Sequence, residues 1–225
     1  MTKKLIFMFF VSISFQFASG QAINTDSLRN AKKDSTLRAM IHADSVKVNK
    51  EFAEIEKWDK MEAIALYPVM KAGKFSGVIP VADPTEIPDP NIDYKLLFEL
   101  TAVNPDSTAA EVNNGLMEVV RKMNLHVASG IPLKRIIPVI VVHAGALHAF
   151  KTNVAYQKKY KMDNPNIKVI DDLKKLGAKF IACGQAMAFL EIKKEDLLPD
   201  MRISVTAQTV LSHYQLKGYV LYQVQ

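Results

Sequence analysis

Residues 179–190 read KFIACGQAMAFL, and the architecture turns on how they are read. Phe180, Ile181 and Ala182 form a short apolar run that ends on Cys183. A glycine follows, and from Gln185 the residues favour a helix. A strand that turns directly into a helix is half of a βα unit. Open α/β sheets gather their ligands at the carboxyl ends of the strands, and Cys183 falls at such an end. It also stands near the amino end of the following helix, where free N–H groups and the helix dipole favour an anion. A thiolate is an anion, so the position suits a cysteine kept in its nucleophilic form. It also suits a buried, inert cysteine packed as a small hydrophobe.

The same pattern repeats on both sides of this stretch. Upstream, residues 94–100 (YKLLFEL) read as a strand and residues 109–128 as a helix. Val112, Leu116, Val119, Val120 and Met123 share one face of that helix, and Ser107 or Thr108 can cap it. Residues 135–142 (RIIPVIVV) form a β-branched run of the kind buried on both faces of a parallel sheet. Pro138 is discordant there, because proline suits an edge or a strand start. Residues 150–161 and the segment from Asn164 to Leu176 read as helices, the latter closed by Gly177. Downstream come a strand at 202–206, a helix at 207–216 and a strand at 219–224. Strands alternating with helices predict an α/β fold with a five-stranded parallel sheet in residues 94–225.

The amino-terminal part differs. Lys3 and Lys4 precede an apolar run to Phe17, and Ala18-Ser19-Gly20 supplies small residues before Gln21. This is the layout of a signal peptide over residues 1–20, with cleavage ahead of Gln21. It places the mature protein in the periplasm or outside the cell, with no membrane segment after cleavage. Residues 21–66 are polar and helix-forming. Leu37, Ile41, Val48, Phe52, Ile55 and Trp58 recur at helical spacings. One or two amphipathic helices are expected, packed against a neighbouring subunit, because an isolated helix is marginal in water. Residues 67–93 hold five prolines and two glycines and read as an extended loop, with the domain boundary near Asp93.

The composition narrows the chemistry. The chain has 225 residues, 49% of them apolar and 23% charged, which is a globular balance. The net charge is +6, and the first twenty residues hold two of the lysines and no acid, leaving +4 for the remainder. That mild charge gives no basis for a nucleic-acid partner. A lone cysteine cannot form an internal disulfide. No GxGxxG or GxxxxGK[ST] motif is present, so no nucleotide cofactor is expected. No GxSxG elbow points to a serine hydrolase.

The strand ends collect the remaining candidates. The second strand ends in His143-Ala144-Gly145, with His148 close behind, and the third in Cys183-Gly184-Gln185. If those strands are neighbours, His143 and Cys183 share one edge of the sheet, and a histidine beside a thiol can activate it. A structural, hydrogen-bonded His143 is the alternative. A metal site built from His143, His148 and Cys183 is the rival use. The spacing of the two histidines does not put them on one helical face, so no metal is expected.

The strand ending VVHAGAL, the NPN helix running into LKKLGAKFIACGQAM, and the closing GYVLYQV together resemble the DsrE/DsrF-like family. Its members are small α/β proteins of sulfur oxidation and of the sulfur relay that serves tRNA thiolation. The resemblance covers residues 94–225. It implies a three-layer sandwich on a five-stranded parallel sheet, and association as trimers or hexamers. It also places Cys183 at the position where sulfur-carrying members hold a persulfide. Two features depart from the relay proteins: the export signal with its added region, and Leu190-Glu191 where some of them carry Arg-Gly. The expectation is an exported, homo-oligomeric protein that carries or transfers sulfur through Cys183. His143, Gly145, Gly184 and Gln185 would line its site, and a donor or acceptor protein would be its partner. The alternative is a non-catalytic module that binds a small ligand in the same crevice.

Overall fold

The computed structural model describes residues 25–225, with side chains from residue 32; the expected signal peptide lies outside them. The chain forms two compact units, one ending at Ile55 and the other spanning residues 56–225. As far as it is described, the first is a helix, α1 (Thr25–Ile64), whose last turns run into the second unit. α1 is one continuous helix of 40 residues, with no break between Asp26 and Trp58. No Gly or Pro interrupts it. Among the described residues no helix is long and apolar enough to cross a membrane.

The second unit is an α/β sandwich. Its strands are β1 (Tyr94–Leu100), β2 (Ile136–Val142), β3 (Lys179–Cys183), β4 (Arg202–Ser204) and β5 (Val220–Val224). All pair in parallel, in the order β4-β3-β2-β1-β5. The helices are α2 (Asn114–Ala128), α3 (Asn153–Tyr160), α4 (Ile167–Lys175), α5 (Gly184–Phe189) and α6 (Ala207–Leu216). Alternation along the strands sends Phe98, Leu100, Ile140, Val142, Phe180 and Ala182 to one face, where Leu116, Val119 and Met123 of α2, Ile170 and Leu173 of α4 and Met187 of α5 cover them. The intervening Leu97, Val139, Val141, Ile181 and Cys183 point to the other face, under Ala207 and Leu211 of α6. Both faces of the central strands are therefore apolar, which explains the unbroken run in β2.

Pro138 fits this central strand for a specific reason. The His143 N–H continues the ladder onto Leu100 of β1, so the odd-numbered amides of β2 face β1 and the even-numbered ones face β3. The β2–β3 ladder begins only at Val139 opposite Lys179. The amide that Pro138 lacks would point to where β3 has not yet joined the sheet.

The start of α2 differs from expectation. Residues 106–108 form a short 3-10 turn, and α2 begins at Asn114 with Asn113 as its cap. The Asn113 side chain accepts from the Gly115 and Leu116 N–H groups and donates to the Ala102 carbonyl. Residues 67–93 contain no helix or strand. Buried Asn124 of α2 fastens their first part: Nδ2 donates to the Met70 and Ser76 carbonyls, and Oδ1 accepts from the Val69 and Met70 N–H groups. The α/β unit thus extends back through residues 65–79 to Glu56, where Trp58 meets Phe75 edge to face.

Candidate functional site

β3 delivers Cys183 to the α6 face at the carboxyl edge of the sheet. The residue is 4% exposed. Its Sγ accepts the Ala207 N–H at 3.2 Å. Ala207 is the first residue of α6, whose early N–H groups have no partner within the helix. The amide that reaches the sulfur thus belongs to α6 and not to α5, the helix that follows the cysteine. The neighbouring amide of Gln185 is spent on the Val205 carbonyl. The sulfur thus sits at the amino end of α6, held by one fixed N–H.

β2 delivers His143 to the same edge. Extending the β2–β3 register by one step places His143 opposite Cys183. Neighbouring strands lie about 4.8 Å apart, and alternation puts both side chains on the α6 face. No hydrogen bond joins them; His143 Nε2 instead lies 3.1 Å from Glu99 Oε1. Glu99 comes from β1, on the same face as Leu97, and its second oxygen accepts from Gln223 of β5 at 3.1 Å. The Glu99 and His143 side chains are 18% and 26% exposed, so the pair is only partly screened by water. A carboxylate can only accept, so the hydrogen sits on His143 Nε2 and Nδ1 is the nitrogen left to take a proton. Four parallel strands therefore contribute a stepped line at the carboxyl edge, Gln223 and Glu99 at one level and His143 and Cys183 two residues nearer the edge.

Glu99 and Ala207 were not among the residues singled out from the sequence. Glu99 carried a signal, being the one acid in an apolar strand and one residue from its end. The contact from Ala207 had none, since an alanine is chosen here for its backbone. The glycines are explained by close packing. A Cβ on Gly184 would come within 2.6 Å of the Ser204 carbonyl, and one on Gly145 within 2.5 Å of Val103 Cγ2. Ala144 between His143 and Gly145 adopts φ 51°, a left-handed turn that takes the chain off β2.

His148 does not join this line. It lies with Gly145 in a recess over the opposite face, beside Asn104, Glu111, Tyr160 and Asn166. The recess holds about 30 Å³, enough to admit a water. Burial, reinforced by Lys151 and Lys159, lowers the His148 pKa below its ordinary value and keeps the ring neutral. Among the described residues its Nδ1, which is buried, has no partner. The three residues weighed as metal ligands thus lie on two sides of the sheet. Among the described residues no group of three or more His, Cys, Asp and Glu could hold a metal ion.

The comparisons with known proteins bear on the α/β unit. The model of the DsrE/DsrF-like family matches residues 95–222. No curated protein matches the chain. Among solved structures, a protein of unknown function from Methanobacterium thermoautotrophicum is similar at 14% identity and a TM-score of 0.43, over 58% of this chain and 99% of its own. The family match takes in more than half of the chain, from β1 to β5 and through Cys183, and on that ground the chain belongs to the DsrE/DsrF-like family.

Proposed function

We propose that this is an exported sulfur carrier that accepts and hands on sulfane sulfur at Cys183. Family membership suggests a sulfur-relay-related function. The observation that carries the finer reading is the Ala207 N–H on Cys183 Sγ, one strand from the His143–Glu99 pair. A single cysteine, an amide at a helix start and a histidine with an oriented ring are the parts that a thiolate nucleophile needs.

The step balances without a redox partner. His143 Nδ1 takes the thiol proton. The Cys183 thiolate attacks the outer sulfur of a donor persulfide, R–S–SH. A new S–S bond forms at Cys183, the donor S–S bond breaks, and the donor leaves as a thiolate that takes the proton from His143. The product is a Cys183 persulfide, and the reverse step onto a second thiol unloads it. With 4% exposure, Sγ meets a donor only when the first turn of α6 lifts. That cover protects the loaded sulfur from stray oxidants between transfers.

The test is mass spectrometry of the protein after exposure to an organic persulfide. A gain of about 32 Da that maps to Cys183 and is removed by a thiol is expected, as a persulfide cap on cysteine requires. No gain at Cys183, with alkylation no faster than that of a model thiol, refutes the carrier and leaves a binding module. Export is part of the proposal, and amino-terminal sequencing of the secreted form should begin at Gln21. The working form is proposed to be a homo-oligomer, a trimer or hexamer, which sedimentation will count.

A further inference from the structure

In the single chain, the apolar residues of α1 from Leu37 to Ile55 are all about half exposed or more. At 100° per residue, Leu37, Ile41, Val48, Phe52 and Ile55 fall in a sector about 60° wide. So narrow a stripe is the seam of a two-helix coil, where a helix lying on a globular core carries a broader one. The seam is also a near palindrome. Leu37 and Ile55 stand equally far from residue 46, Ile41 and Phe52 almost so, and Asp44 and Val48 are again equidistant. Turned end over end, Leu37 falls on Ile55 and Ile41 close to Phe52, while Asp44 falls on Val48.

Charge fixes the direction. Asp44 borders the seam, with Glu51 and Lys47 further round the same edge. Two copies in parallel would set Asp44 against Asp44 along the border of the apolar seam, a like-charge contact that disfavours the pair. Two antiparallel copies centred on residue 46 set Asp44 beside the partner's Lys47, and by symmetry the reverse. They also place the opposed helix dipoles side by side. The paired seam, from residue 37 to 55, runs about 27 Å.

We infer that α1 is an antiparallel pairing element whose occupant is the α1 of a second copy of this chain, with a two-fold axis at residue 46. The inference is independent of the sulfur-carrier reading, because no residue of the pair belongs to the Cys183 site. The element ties two α/β units together by their extensions, and dilution separates them.

Cysteine cross-linking of the full mature chain decides it. On a Cys183→Ser background the introduced thiol is the only one. Leu37→Cys and Ile55→Cys proteins should each resist disulfide dimerisation alone and form a mixed dimer when combined under oxidation. Dimers of Leu37→Cys with itself would show a parallel pair and overturn the inference, as would the absence of a mixed dimer. A second measurement reads the charge. Asp44→Lys should weaken self-association at least tenfold in sedimentation, and Asp44→Lys with Lys47→Asp should restore it. An unchanged association in the single variant, or no recovery in the double, refutes the antiparallel arrangement. α1 is exposed over this length, so none of these changes touches a folded core.

Discussion

Replacing Asn124 by alanine should release the segment that precedes the sheet. Asn124 is fully buried and makes four hydrogen bonds of 2.7–3.3 Å to residues 69–76. At about 1 kcal/mol net for each bond, truncation removes about 4 kcal/mol. If the segment stayed in place, its orphaned amides and carbonyls would cost about 1–3 kcal/mol each, a larger loss. The segment should therefore swing into water, which limits the loss to its docking energy. Release also forfeits the burial of Ala72 and Val78, 5% and 8% exposed, but returns chain entropy to the segment, which offsets it, so the expected total is about 3–4 kcal/mol. With a urea slope near 2 kcal/mol/M, the unfolding midpoint should fall by about 1.5–2 M. Amide exchange should lose protection at Val69 and Leu66, whose amides bond to Asn124 and to the Val78 carbonyl, while β1 and β2 keep theirs. A midpoint within about 0.3 M of the parent, with Val69 still protected, would refute the idea that one side chain fastens this segment.

Three further outcomes follow from the edge of the sheet. Ala144→Gly relieves the left-handed turn behind His143 and should raise stability by about 0.5–1 kcal/mol, the strain less the entropy that glycine loses; calorimetry should show a melting temperature about 2 °C higher. Gly184→Ala drives a methyl group against the Ser204 carbonyl, should cost about 1–3 kcal/mol, and by displacing β4 and the start of α6 should speed alkylation of Cys183. His148 supplies the pH dependence. Its pKa is lowered in the fold, so the unfolded chain binds a proton that the folded chain refuses, and stability falls as the pH drops below about 6.5 towards the folded pKa. Urea midpoints at pH 7.5 and 5.5 should therefore lie further apart for the parent than for His148→Gln.

Local pattern carried much of this fold. β1, β3 and α6 were read from the sequence with their observed bounds, because each is a compact apolar or periodic run between breakers. The start of α2 was read five residues early: Ser107 and Thr108 are good caps in isolation, but Asn113 wins because its amide also reaches Ala102 across the chain. The strand order was not legible at all. Nothing in the periodicity says that β5 lies beside β1, and without that order Glu99 cannot be linked to Gln223 or to His143. Cys183 and His143 stood out because strand ends are visible in sequence. Their supports, Glu99 and the Ala207 amide, depend on register and on a crossover, and both are properties of the folded sheet.

The place of β5 has a consequence for the order in which the molecule can be made. β1 is an inner strand, yet one of its two neighbours lies far away in the chain: 124 residues separate Glu99 from Gln223. A chain that emerges amino end first can join β1, β2 and β3 as they appear. Through all that time one side of β1, the strand of Leu96, Leu97 and Phe98, has bare amides and carbonyls. An open edge beside so apolar a surface recruits other strands. Val220–Val224 is the segment that closes it, so ribosome-bound or shortened chains that lack those residues should be the sticky ones. The last strand to arrive thus guards the first.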